Sequence, residues 1–224
     1  MLLHLTNILD TAKLANIREM LNKIRFIDGK HSAGIVAEQV KYNEEIQPGT
    51  QQAQYLDQLV MSNLAENADF RSAALPYRVA QPVFARYTQG MHYGEHIDDP
   101  VMGGGHEKFR ADIAVTLFLN EPTEYQGGEL MIQSNFGEQD IKYAAGDAVL
   151  YPASSLHRVN EVTRGERLVA VTWIQSIVRD NEKRELLFGL DQARGDLLAQ
   201  DAKNNTHKKV DHAYVNLVRM WSEL

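Results

Sequence analysis

From Leu75 to Ile177 the chain is written in short segments rich in Val, Ile, Tyr and Phe, and turn residues punctuate them. The segments run over 77–87, 92–98, 110–119, 129–133, 140–144, 147–151, 156–162 and 167–177. Pro82, Gly90, Pro122, Gly127-Gly128, Gly137, Gly146 and Gly165 separate or interrupt them. Many short strands at this spacing indicate an antiparallel sandwich or barrel, not a βαβ fold.

Helical patterns flank this region. Asp10 is placed to cap a helix whose Leu14, Ile17, Leu21 and Ile24 recur at helical spacing, with Asp28-Gly29 as the break. Residues 30–48 read as loop and short structure. Tyr55, Leu56, Leu59, Val60 and Leu64 predict a second helix ended by Glu66-Asn67. After Ile177, Leu186, Leu187, Leu190, Ala193 and Leu197 form one stripe. Asn204-Asn205-Thr206 is placed to cap a last helix carrying Val210, Ala213, Tyr214, Leu217, Val218 and Trp221. The expected organisation is a mainly β core with flanking α: a helical buttress over 1–74, the β core over 75–178 and a helical subdomain over 179–224.

Composition narrows the functional classes. A net charge of −7 argues against a nucleic-acid binder, and no apolar run approaches the ~18 residues of a membrane span. The start lacks a basic region and a small-residue cleavage site, so a cytoplasmic enzyme is the default. With 0 cysteines, thiolate metal sites and cysteine nucleophiles are excluded, and any metal must be held by His and carboxylate. Oligomeric state is not legible, and a homo-oligomer is one option.

His96-Ile97-Asp98 places an imidazole and a carboxylate two residues apart, on one face of a strand. These are two members of the 2-His-1-carboxylate triad that holds Fe(II) with open positions. Ser154-Ser155-Leu156-His157-Arg158-Val159 supplies a third ligand, His157. A hairpin centred on Val162 would set His157 opposite Arg167, with the two side chains sharing a face. A buried arginine there calls for an anion, and the guanidinium fork fits a carboxylate. A dicarboxylic acid that chelates iron at one end and pairs with Arg167 at the other meets both needs, as 2-oxoglutarate does. His92, four residues before His96, falls on the same face of a continuous strand and is a substitute ligand or a donor behind it. The Gly-rich stretch 99–109 reads as a mobile loop. His106 within it reads as solvent-exposed, and His4, His31, His207 and His212 as structural or exposed.

Together these residues resemble the Fe(II)/2-oxoglutarate-dependent dioxygenases, and among them the bacterial PKHD-type hydroxylases, relatives of prolyl 4-hydroxylases. The resemblance covers nearly the whole chain. It is carried by Phe84-Ala-Arg-Tyr87-x-x-Gly90, His96-Ile-Asp98, Arg110-Ala-Asp-Ile-Ala-Val-Thr-Leu-Phe-Leu119, Tyr125-Gln-Gly-Gly-Glu-Leu130, Ala145-Gly-Asp147, Leu150-Tyr-Pro152, Ser154-Ser-Leu-His157-Arg-Val159, Val162-Thr-Arg-Gly165 and Trp173-Ile-Gln-Ser176. It implies a double-stranded β-helix (jelly-roll) core, with His96, Asp98 and His157 as ligands of Fe(2+). It also implies that Arg167 binds 2-oxoglutarate, that Tyr87 contacts the same cosubstrate, and that L-ascorbate serves as reductant. The implied reaction consumes 2-oxoglutarate and O2, releases succinate and hydroxylates an unidentified primary substrate; family members are associated with iron uptake. Two readings from other classes stay open at this level. One is a cupin-like metalloprotein (hydrolase, isomerase or ligand sensor) that does not use 2-oxoglutarate, and the other a non-catalytic β-sandwich that binds a ligand.

Overall fold

The computed structural model describes residues 1–32, 34, 37–200 and 205–223. Strand β1 (Leu3–Leu5) precedes helix α1 (Thr11–Leu21), which starts where Asp10 accepts a hydrogen bond from the Lys13 amide at 2.9 Å. Next come β2 (Phe26–Asp28), β3 (Lys41–Tyr42) and β4 (Glu44–Ile46), then α2 (Gln51–Glu66) and α3 (Ala68–Ala74). Thr50 caps α2 and Asn67 caps α3 through their side-chain oxygens. The β region holds β5 (Pro76–Val79), β6 (Val83–Tyr87), β7 (His92–His96), β8 (Val101–Met102), β9 (Phe109–Arg110) and β10 (Ile113–Phe118). It continues with β11 (Tyr125–Gly127), β12 (Leu130–Ser134), β13 (Gly137–Ile141), β14 (Ala148–Pro152), β15 (His157–Val159), β16 (Val162–Gly165) and β17 (Arg167–Ser176). Helices α4 (Asn181–Gln200) and α5 (Asn205–Trp221) complete the chain.

These strands form a two-sheet jelly roll. The larger sheet runs β1-β14-β10-β17-β6-β4-β2, with β5 also paired to β17, and the smaller runs β13-β12-β15-β7-β3. Every pairing is antiparallel. Strand β10 is buried along its whole length because it is covered on both faces. Ile113, Val115 and Leu117 point to one core, shared with Ile17, Leu56, Val60 and Phe70 of the N-terminal helices. Ala114 and Phe118 point to the other, shared with Leu130, Ile132 and Val159 of the smaller sheet. The period-2 alternation of a strand thus assigns one face of the larger sheet to the helices and the other to the space between the sheets.

Several details differ from the sequence expectation. The segment 77–87 splits at Pro82, which cannot donate to a ladder. The strand expected over 92–98 ends at His96, and that over 140–144 lies at 137–141. The short structure expected between 30 and 48 includes β3 and β4, one in each sheet, and α3 was not read at all. Asn204, expected as part of a helix cap, lies outside the described residues.

The hairpin expected to set His157 beside Arg167 does not form. Strand β16 leaves the path and pairs with β11, carrying the chain from the smaller sheet to the larger. His157 therefore sits in the smaller sheet and Arg167 at the start of β17 in the larger.

Leu117 is 1% exposed in the helix-side core, whereas Phe136, in the β12–β13 connection, is 96% exposed. Leu117→Ala is expected to cost about 2–5 kcal/mol and to lower the melting temperature by roughly 5–15 °C. Phe136→Ser is expected to shift stability by no more than about 0.5 kcal/mol. Thermal unfolding followed by circular dichroism measures both. Equal melting temperatures for wild type and Leu117→Ala would contradict the placement of β10 in that core.

Candidate active site

Two cross-strand pairs face one another across the sandwich. In the smaller sheet His157 lies directly opposite His96, and in the larger sheet Arg167 lies directly opposite Tyr87. All four line one cavity of about 360 Å³, with Asp98, Thr116, Tyr151 and Trp173 among the residues around them.

His96, Asp98 and His157 each place one ligand atom within 4.8 Å of the other two, and these three can hold a metal ion together. The imidazoles are oriented for it. His96 Nδ1 lies 2.8 Å from the Gly94 carbonyl and His157 Nδ1 3.0 Å from the Ser155 carbonyl. A carbonyl can only accept, so each Nδ1 carries the proton and each Nε2 lone pair is free to face the cavity. His157 Nε2 stands 3.8 Å from Asp98 Oδ1. Burial, reinforced by the neighbouring His157, pushes the His96 pKa down to about 3, which keeps its ring neutral as a ligand must be. Burial also raises the Asp98 carboxyl above the usual carboxylate range, with His157 pulling the other way. Asp98 Oδ2 is buried with no hydrogen-bond partner among the described residues. A desolvated carboxylate oxygen of this kind calls for a cation, so the donor set fits a divalent metal.

The opposite wall makes the opposite demand. Arg167 is 1% exposed, and its Nε and Nη1 have no hydrogen-bond partner among the described residues. Its guanidinium carbon lies 5.0 Å from the Tyr87 ring centre and 5.9 Å from that of Phe118. Burial pushes the Tyr87 hydroxyl up to about 12, so it faces the cavity protonated. Tyr125 adds a second buried hydroxyl, this one without a hydrogen-bond partner among the described residues, near the arginine that partly offsets the rise that burial gives its pKa. A fixed cation flanked by two neutral phenols is a receptor for a carboxylate.

The five residues expected to form the site therefore meet in one cavity, although His157 and Arg167 approach across the sandwich and not along a hairpin. His92 does not join them. The register between β7 and β15 slips between His96 and Tyr93, a bulge that puts Tyr93 and His96, three apart, on the inner face. Tyr93 stacks on the His96 ring at 3.6 Å, and His92 turns toward Tyr42. Gly94 sits at the bulge because a Cβ there would meet Val40 Cβ at 2.8 Å. His106 is exposed in a short 3₁₀ turn between β8 and β9, while Val101, Met102 and Gly103 of the same loop reach the cavity.

Sequence reasoning missed Lys41, Asn43 and Glu45, which line the cavity from the N-terminal segment. Their two-residue spacing was the available indication. It also missed Tyr93, Tyr125, Tyr151 and Trp173 as parts of the site.

Comparison with known proteins identifies the family. The 2OG-Fe(II) oxygenase superfamily profile matches residues 82–175, and the PKHD-type hydroxylase C-terminal domain matches residues 181–223. A PKHD-type hydroxylase of Thioalkalivibrio sulfidiphilus is 46% identical over 224 residues, covering 100% of both chains. Among solved structures, a prolyl hydroxylase from Trichoplax adhaerens, in complex with a hypoxia inducible factor peptide fragment, superposes with a TM-score of 0.55. It is 16% identical and covers 83% of this chain and 86% of its own. HygX from Streptomyces hygroscopicus, solved with nickel and 2-oxoglutarate bound, superposes at 0.51 with 12% identity, covering 79% of this chain and 84% of its own. These two likenesses concern the fold. Full-length identity at this level settles membership: the chain is a PKHD-type hydroxylase of the 2OG-Fe(II) oxygenase superfamily, an Fe(II)- and 2-oxoglutarate-dependent dioxygenase.

Proposed function

We propose that His96, Asp98 and His157 hold one Fe(II) ion, and that Arg167, with Tyr87 against it, holds the distal carboxylate of 2-oxoglutarate. The observation that carries this reading is a pair of opposite, unsatisfied charges in one cavity: Asp98 Oδ2 on one wall, Arg167 Nε and Nη1 on the other. A metal alone would answer the first and leave the second buried without an anion. A diacid that chelates the metal answers both.

When bound, Fe(II) supplies oxygen activation coupled to decarboxylation of 2-oxoglutarate to succinate and hydroxylation of the primary substrate. The chain's own residues position and exclude. The Gly94 and Ser155 carbonyls fix the ring orientation of His96 and His157. Tyr93, stacked on His96, keeps that ring from swinging, and the buried Tyr151 and the partly buried Trp173 form part of the wall that excludes water. L-ascorbate is the reductant this reading expects. Residues 75–178 act as the oxygenase core, 1–74 as a buttress that lends the cavity one wall, and 179–224 as a helical subdomain.

Two binding measurements test the assignment. Titration of Fe(II) under anaerobic conditions is expected to give about one ion per chain, and His96→Ala, Asp98→Ala or His157→Ala to abolish it, because two ligands do not hold the ion tightly. His106→Ala keeps the metal. Retained binding in all three ligand variants, or loss in His106→Ala alone, overturns the ligand set.

The second measurement separates cosubstrate from metal. Hydrogen bonds to charged groups contribute roughly 1.5–3 kcal/mol each, so Arg167→Leu is expected to weaken 2-oxoglutarate binding at least about tenfold. Metal affinity without cosubstrate stays at the wild-type value, and Arg167→Lys recovers part of the loss, since an ammonium lacks the fork. Isothermal titration of 2-oxoglutarate into the metal-loaded protein reads both. Equal affinities for wild type and Arg167→Leu would remove the arginine from the site.

A further inference from the structure

One wall of the cavity is used neither by the proposed metal site nor by the arginine receptor. Residues Lys41 to Glu45 carry the chain from the smaller sheet to the larger: Lys41 pairs with Tyr93 of β7, and Glu45 with Ala85 of β6. At this corner Lys41, Asn43 and Glu45 all line the cavity. Lys41 is 6% exposed and Glu45 7%, and they form an ion pair at 2.5 Å inside the space between the sheets. Lys41 Nζ also donates to Ser32 Oγ at 2.7 Å, so two of its three protons are engaged. Asn43, between them, is 2% exposed, with both side-chain polar atoms unpartnered among the described residues.

This arrangement is a costly way to close a corner. A buried ion pair loses about as much in desolvation as it gains in attraction, and apolar residues of similar size join two sheets at least as well. The pair instead presents both signs of charge, fixed in place, to whatever shares the cavity. A ligand with a single positive charge would meet Lys41, and one with a single negative charge would meet Glu45. An uncharged ligand would strip water from both and return nothing. A molecule with an ammonium and a carboxylate on neighbouring atoms completes a ring of alternating charges, its carboxylate accepting from Lys41 and its ammonium donating to Glu45. The volume agrees: about 360 Å³ is near the lower end of small-ligand sites, and a five-carbon diacid already takes part of it.

We infer that the Lys41–Glu45 pair recognises the primary substrate, and that this substrate presents a free α-amino acid head group. The inference rests on the oxygenase site proposed above, and the test keeps the two apart. Full-length protein is loaded anaerobically with Fe(II) and 2-oxoglutarate, and both binding steps are recorded. The twenty free L-amino acids, and each as its N-acetyl N′-methylamide, are then titrated calorimetrically. At least one free amino acid is expected to bind at least about tenfold more tightly than its blocked form. Glu45→Gln and Lys41→Met are each expected to weaken that binding by a similar factor. The double variant Lys41→Met/Glu45→Leu replaces the pair by apolar groups, retains a cooperative melt and does not bind the amino acid.

Blocked derivatives binding as tightly as free ones would overturn the inference and point to a peptide chain. So would wild-type affinity in the single variants, or no binding by any free amino acid to protein that does hold Fe(II) and 2-oxoglutarate. Failure to bind Fe(II) or 2-oxoglutarate at the first step would overturn the oxygenase site itself, and this inference with it.

Discussion

The register between β7 and β15 is the constraint on which the site depends. His96 and His157 converge because they are opposed across two antiparallel strands, and side chains alternate faces along each. A slip of one residue would send one imidazole outward and leave Asp98 without a companion. The bulge at Gly94 pins that register, bringing Tyr93 inward to stack on His96. The second pair, Arg167 opposite Tyr87, is fixed independently in the larger sheet. The proposed site is therefore held by two strand registers, and the distance between them by the packing of the two sheets.

That division explains why the cavity tolerates so much polarity. The larger sheet has its helix-side face packed with aliphatic and aromatic groups from α1, α2 and α3. The apolar area buried there supplies the main drive for folding. The inner face is released from that task along part of its length, and it can carry an arginine, a lysine–glutamate pair and several phenols without those groups being asked to stabilise the chain. Buried polar groups of this kind are expected where a site is built.

Much of this was legible in the sequence because it is written locally. His96 and Asp98 share a short segment, and the strand rhythm between Leu75 and Ile177 is plain. Arg167 does line the cavity, but not for the geometric reason that singled it out: the even hairpin sum ignored that β16 pairs with β11 and moves the chain between sheets. Propensity within 157–167 carries no sign of that transfer. The bulge that replaced His92 by Tyr93 is equally hidden, since it answers to Val40 packed against Gly94 from another segment. Lys41 and Glu45 escaped because their inward orientation is decided by partners at Tyr93 and Ala85, some forty to fifty residues on.

The order of strands in the larger sheet bears on how the chain is made. β17 is the last strand in sequence, yet it lies between β10 and β6 near the middle of the sheet. β1 is the first strand, and it waits for β14, with Leu3 opposite Leu150. On a ribosome, synthesis proceeds from the N-terminus, so the edges of β6 and β10 that β17 will join stay open until Arg167–Ser176 has emerged. Until then the nascent chain displays apolar strand edges of the kind that pair with the wrong partner. Closure is late and dominated by distant contacts, which makes for slow folding and a long period in which chaperones can hold the chain.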